Sequence, residues 1–111
     1  MPIPLVFWRS RSGKEPVREW LNVLPRDDQR VLGRDIAKVQ FGWPVGLPVC
    51  RPLRDGLWEV RSTLPSRREA RVLFGFHQGT LVALYAFIKK TQKTPNDELS
   101  LARQRLQELS S

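Results

Sequence analysis

Three apolar runs stand back to back between Gly56 and Pro95, in GLWEVRSTLPSRREARVLFGFHQGTLVALYAFIKKTQKTP. Two turn-forming clusters separate them, Pro65-Ser66-Arg67-Arg68 and His77-Gln78-Gly79. Short β-forming runs divided by turn residues predict an antiparallel three-stranded meander. Side chains alternate across a strand, so Leu57, Glu59, Arg61 and Thr63 share one face in the first run. Trp58, Val60, Ser62 and Leu64 share the other. The Trp58 side is expected to pack on helices, which leaves Glu59 and Arg61 on an open face. In the second run Val72, Phe74 and Phe76 mark the core side and Arg71 the opposite one. The third run, Leu81 to Ile88, is apolar at every position, as an internal strand would be.

The flanks supply the support. Ile3 to Trp8 is a short β-forming run, and Pro2 and Pro4 assign it to a sheet edge. Glu15 to Leu24 carries Val17, Trp20, Leu21 and Leu24 on one helical stripe. Pro25 ends that helix and opens a second, with Asp27 and Asp28 near its N-terminus and Val31, Leu32, Ile36 and Val39 on its apolar side. Arg26, Arg30, Arg34 and Lys38 recur every four residues and read as a solvated face. Gly42 to Arg54, rich in Gly and Pro, reads as a crossing loop whose Arg51 and Arg54 could join a basic rim. Thr94, Pro95 and Asp97 form a helix start, and Leu99, Ala102, Leu106 and Leu109 form the stripe of a C-terminal helix. The expected fold is α+β: a small twisted antiparallel sheet, made of the N-terminal strand and the meander, with the helices on one side. Residues 1–111 are expected to form one domain.

Composition narrows the function. A formal net charge of +8 and a pI of about 10.8 in a small folded chain point to a polyanionic partner, most often nucleic acid. The single cysteine, Cys50, allows neither an intrachain disulfide nor a multi-thiolate metal site, and it reads as structural. No apolar run is long enough to span a membrane, and the N-terminus lacks the order of a secretory signal, so a cytoplasmic protein is expected. His77, the one histidine, falls in a turn and is expected to be exposed and without a catalytic role. No phosphate-binding loop, catalytic triad or metal-ligand spacing is present.

Metal-free RNA cleavage asks for less, because RNA carries its own nucleophile, the 2′-hydroxyl. The protein has to align it, take its proton and stabilise developing charge, and fixed cations do the last of these. Glu59 and Arg61 lie two apart on one strand, and Arg71 on the next strand could face them. A carboxylate among cations can act as a base. An ordinary cross-strand salt bridge would use the same residues.

The run from LWEVR through FIKKTQKTP to ELSLARQRL resembles the C-terminal half of the phage-derived, HigB-like branch of the RelE/ParE toxin superfamily. The preceding strand–helix–helix plan agrees. The resemblance implies a toxin of a type II toxin–antitoxin pair, a metal-independent endoribonuclease that cuts mRNA in the ribosomal A site and needs no cofactor. It places Arg71 at the scissile phosphate, Arg61 beside it, Glu59 as the base, and Lys90 at the leaving group. Lys89, Lys93, Arg54 and Arg68 would bind RNA, and Tyr85 is a weaker candidate. The last helix holds no tyrosine, so the C-terminal catalytic tyrosine of RelE has no counterpart. The implied protein partner is an antitoxin, a small helix-turn-helix DNA-binding protein. Two alternatives stay open: a ParE-like toxin that inhibits gyrase, and a non-catalytic RNA-binding or decayed toxin domain.

Overall fold

The computed structural model describes residues 2–43, 50–90 and 96–110. Five strands form one mixed sheet: β1 (Leu5–Phe7), β2 (Cys50–Pro52), β3 (Leu57–Thr63), β4 (Glu69–His77) and β5 (Thr80–Ile88). Three helices accompany them: α1 (Pro16–Asn22), α2 (Arg26–Gly42) and α3 (Asn96–Leu109). The strand order is β1-β5-β4-β3-β2. The α+β fold and the meander are as the sequence predicts.

Three features differ from expectation. β1 does lie at an edge, but it pairs parallel to β5, Leu5 opposite Leu81 and Phe7 opposite Ala83, so the sheet is not wholly antiparallel. The helices α1 and α2 return the chain so that β1 runs the same way as β5. Second, Cys50–Pro52, read as loop, is an edge strand antiparallel to β3. Pro52 is tolerated there because an edge strand can spare a donor. Third, the helices do not share one side.

The sheet separates two apolar layers. On one face Val60, Leu64, Val72, Phe74, Leu81 and Ala83 meet Val17, Leu24, Leu32, Ile36 and Val39 of the first two helices. On the other, Leu57, Leu73, Val82 and Leu84 meet Ala102, Leu99, Leu106 and Leu109 of α3. Each helical stripe expected from the 3.6-residue period is therefore used, but α3 covers the face on which Glu59 and Arg61 were expected to lie open. Gly75 allows α3 to come this close: a Cβ there would lie 2.6 Å from Leu106 Cδ1. The helix start expected at Thr94 and Pro95 lies outside the described residues; Asp97 is in the first turn of α3.

Polar anchors hold α2 to the sheet. Asp28 is buried and is not simply a dipole partner. It accepts from the Ser66 amide at 3.1 Å and the Ser66 hydroxyl at 2.7 Å, so it fixes the β3–β4 turn. The Ser62 hydroxyl donates to buried Asp35 at 2.5 Å. The β4–β5 turn is shorter than expected. His77 is the last residue of β4, half-buried, and Gln78 and Gly79 turn the chain with φ of 50° and 77°. Two successive positive φ values match the twist of a tight hairpin. Cys50 is fully buried, and desolvation, with a smaller contribution from the nearby Glu59 charge, pushes its thiol up to about 11, which fits a structural role. Among the described residues no helix is long and apolar enough to cross a membrane.

Candidate nucleic-acid interface

Register brings the predicted residues together. Arg61 and Arg71 are directly opposite each other on β3 and β4, and Arg51 on β2 is opposite Glu59 on β3. Opposite residues share a face. Three guanidinium groups consequently converge on one carboxylate oxygen, Glu59 Oε1: Arg51 Nε at 3.1 Å, Arg71 Nε at 3.8 Å and Arg61 Nε at 4.0 Å. Glu69 closes the group from the far side. It contacts Arg71 Nη1 at 3.5 Å and accepts from the Thr63 hydroxyl at 2.8 Å.

Exposure divides the cluster. Glu59 and Arg71 are buried, at 1% and 2% exposure. The Arg51 and Arg61 side chains remain 43% and 36% exposed. This corrects two expectations. Arg71 was expected to be uncovered, and it instead lies in the sheet surface, its guanidinium donating to its neighbour's carbonyl, Ala70 O, at 2.9 Å. Glu59 was expected to act as a base, but a base needs an oxygen that substrate can reach, and here its carboxylate is spent on arginines. What it does is hold three cations side by side against their mutual repulsion. Three guanidinium groups against two carboxylates, Glu59 and Glu69, leave one positive charge in excess, and the exposed members are Arg51 and Arg61.

A bulge in β5 completes this surface. Leu73 is opposite Tyr85 and Phe74 is opposite Ala83, so Leu84 is an extra residue. The extra residue shifts the alternation of everything after it. Leu81 and Ala83 face the first two helices, and beyond the bulge it is Ala86 and Ile88 that do so. Tyr85 and Phe87 thereby move to the arginine face, with Phe87 directly opposite Arg71. Their rings lie 6.0 Å apart. The Leu84 carbonyl accepts from Arg105 Nη1 at 2.6 Å, and the Arg105 guanidinium sits over the Trp8 ring at 4.2 Å.

The remaining candidates are more dispersed. Lys89 continues β5, its amide bonded to the Glu69 carbonyl at 2.7 Å. Lys90 is exposed at the mouth of a cleft of about 610 Å³ on the outer side of β5. Arg68 lines the same cleft, held by Asp28 Oδ2 at 3.3 Å. Arg54 belongs elsewhere, beside Leu99 and Arg103 in a separate cleft at the start of β3. Four residues of strand, roughly 13 Å, separate that end of β3 from Arg61. Lys93 lies outside the described residues. Among the described residues no three of His, Cys, Asp or Glu are grouped to hold a metal ion.

Sequence reasoning placed one residue loosely and missed another. Arg51 is expected there only as a loop charge on a basic rim, because nothing in CRPLRDG announces the three-residue strand that sets it against Glu59. Phe87 was hidden because an unbroken apolar run gives no sign of where its alternation slips.

The sequence profile of the family described as Phage derived protein Gp49-like matches residues 19–107. That span includes the last four residues of α1, all of α2, every residue of the arginine cluster and most of α3. No curated protein matches the chain.

Proposed function

The chain belongs to the phage-derived Gp49-like family, a toxin family of the RelE/HigB type from toxin–antitoxin systems, and from that premise we propose that it is a metal-independent endoribonuclease that cuts mRNA on the ribosome. The observation that carries the reading is the set of three guanidinium groups ordered on Glu59, two of them open to solvent. Arg51 and Arg61 bind the non-bridging oxygens of the scissile phosphate. Arg71 adds positive potential from below, where low solvent exposure weakens screening. The 2′-oxygen attacks phosphorus, the bond to the 5′-oxygen breaks, and the products are a 2′,3′-cyclic phosphate and a 5′-hydroxyl. Water accepts the proton of the 2′-hydroxyl, and the Lys90 ammonium donates one to the departing 5′-oxygen. Cations fixed before the reaction stabilise the phosphorane without reorganising, which is the largest part of such catalysis. The protein acts in the cytoplasm, and its partner is a cognate antitoxin with a helix-turn-helix domain.

The burial of Glu59 and Arg71 favours one second reading, a surface that binds RNA without cutting it. Arg61→Ala separates the two. An exposed ion pair contributes at most about 1 kcal/mol to stability, so this variant stays folded. Induced in cells, the wild type should arrest translation and leave mRNA fragments with 5′-hydroxyl ends. Arg61→Ala should reduce those ends by about a hundredfold, the usual loss for one transition-state donor. Translation arrest with intact mRNA supports binding alone. Growth arrest with DNA damage and intact mRNA places the chain with gyrase inhibitors instead.

A further inference from the structure

We propose that the cleft along the outer side of β5 is a nucleotide subsite that stacks one base of single-stranded RNA. The proposal rests on reading the arginine cluster as an RNA phosphate site and goes beyond it by assigning the base. The cleft measures about 610 Å³, within the range of small-ligand sites. Six of its lining residues carry the chemistry: Trp20, Tyr85 and Phe87 supply rings, Arg68 and Lys90 supply cations, and Glu98 supplies an acceptor.

The open edge of β5 adds hydrogen-bonding groups. The Lys89 amide donates to the Glu69 carbonyl, so in the alternating antiparallel ladder Phe87 and Tyr85 also turn their backbone groups toward β4. The amides and carbonyls of Ala86 and Ile88 therefore face away from β4. The last pair made by β1 is Phe7 with Ala83, and no described strand lies beside residues 86–88. Donors and acceptors at the floor of an aromatic cleft match the edge of a base.

Position relative to the arginines favours RNA over other occupants. Phe87 is opposite Arg71, which is opposite Arg61. Two strand spacings, roughly 10 Å, separate the ring from the exposed guanidinium. A chain whose phosphate sits on Arg61 can lay a neighbouring base across β5, past Lys90 at the leaving oxygen, and its next phosphate meets Arg68. Arg68 is already held in place by Asp28. Single-stranded RNA is recognised by this combination of ring stacking, edge hydrogen bonds and cations on the backbone.

The test compares a fluorescent oligoribonucleotide with one of equal length carrying abasic sites, titrated against the full chain and read by anisotropy. The wild type should prefer the base-bearing strand by about tenfold. Phe87→Leu should abolish that preference, so that the two strands bind the variant with equal affinity. Arg61→Ala should weaken both strands alike. Equal wild-type affinity for the two strands overturns the subsite, as does a preference that survives in Phe87→Leu. If Arg61→Ala changes neither, the phosphate reading fails separately. A second measurement needs no variant: ultraviolet crosslinking of a 5-iodouridine strand to the wild type should label Trp20, Tyr85 or Phe87. Crosslinks confined to other residues, or a cleft protected only by an antitoxin peptide, overturn the proposal.

Discussion

At the scale of single residues, the same arginine can be structural or functional depending on how far it is covered. Arg71 and Glu59 are both buried, and removing one member of a buried pair leaves the other charge without compensation. Glu59→Gln is expected to lower unfolding free energy by about 3 kcal/mol, measured by urea denaturation. Arg51→Ala should change it by less than about 1 kcal/mol, because that side chain is part-exposed and screened. Loss of toxicity in an Arg71 variant would therefore be ambiguous, whereas loss in Arg51 or Arg61 variants speaks to RNA. Asp28 gives a second prediction. Hydrogen bonds from the Ser66 side chain, followed by its amide and Arg68, hold the Asp28 carboxyl below its ordinary value against the opposing effect of burial. A depressed folded pKa stabilises the protein above the unfolded value of about 3.9, and that stability is lost as pH falls through the folded value. Asp28→Asn should flatten the fall in stability below about pH 4, followed by thermal melts across pH.

At the scale of elements, the bulge at Leu84 and the close approach at Gly75 decide which side chains share a face. The bulge turns Phe87 toward Arg71; an uninterrupted β5 would have turned it toward the first two helices. Gly75 sets the seat of α3. Gly75→Ala forces Leu106 to move, and overpacking of this kind costs about 1 kcal/mol or more. In a Leu106→Ala background the same substitution should cost close to nothing, because the clashing atoms are gone. Urea denaturation of the four-member cycle reads the difference as non-additivity. A Gly75→Ala penalty unchanged by Leu106→Ala would mean that backbone, and not this contact, requires glycine. The element-level reading of the sequence was good where the period was clear. All three helical stripes are used as expected. It failed at β2, where three residues carry no period, and at β5, where every residue is apolar.

At the scale of the molecule, charge and layering act together. Part of the cation excess, +8 overall, lies on the sheet face that α3 roofs only in part, where Arg51 and Arg61 stay exposed. Phosphate binding releases counterions, so affinity for RNA should fall steeply with salt, and Lys90→Ala should lower the slope of log K against log salt by about 0.7. Anisotropy titrations between 50 and 200 mM salt, as approximate limits, measure it. An unchanged slope would remove Lys90 from the RNA path. α3 restricts where that path can run, because its apolar stripe occupies the half of the face around Leu57, Leu73 and Val82. The arginines and the bulge-placed rings occupy what is left.

Taken alone, the sequence determined every element but β2 and the chemistry available to them. Helical period, turn residues and strand alternation are local, and they placed α1, α2, α3, the meander and the Glu59/Arg61 pairing of charge on one strand. Only the tertiary structure decided which of those charges solvent can reach. Burial depends on residues far apart in the chain: Arg51 arrives from an edge strand, Phe87 is turned by one extra residue, and α3 crosses to the opposite face. None of these leaves a mark in local periodicity, because each is fixed by packing between segments and not by the conformation of any one of them.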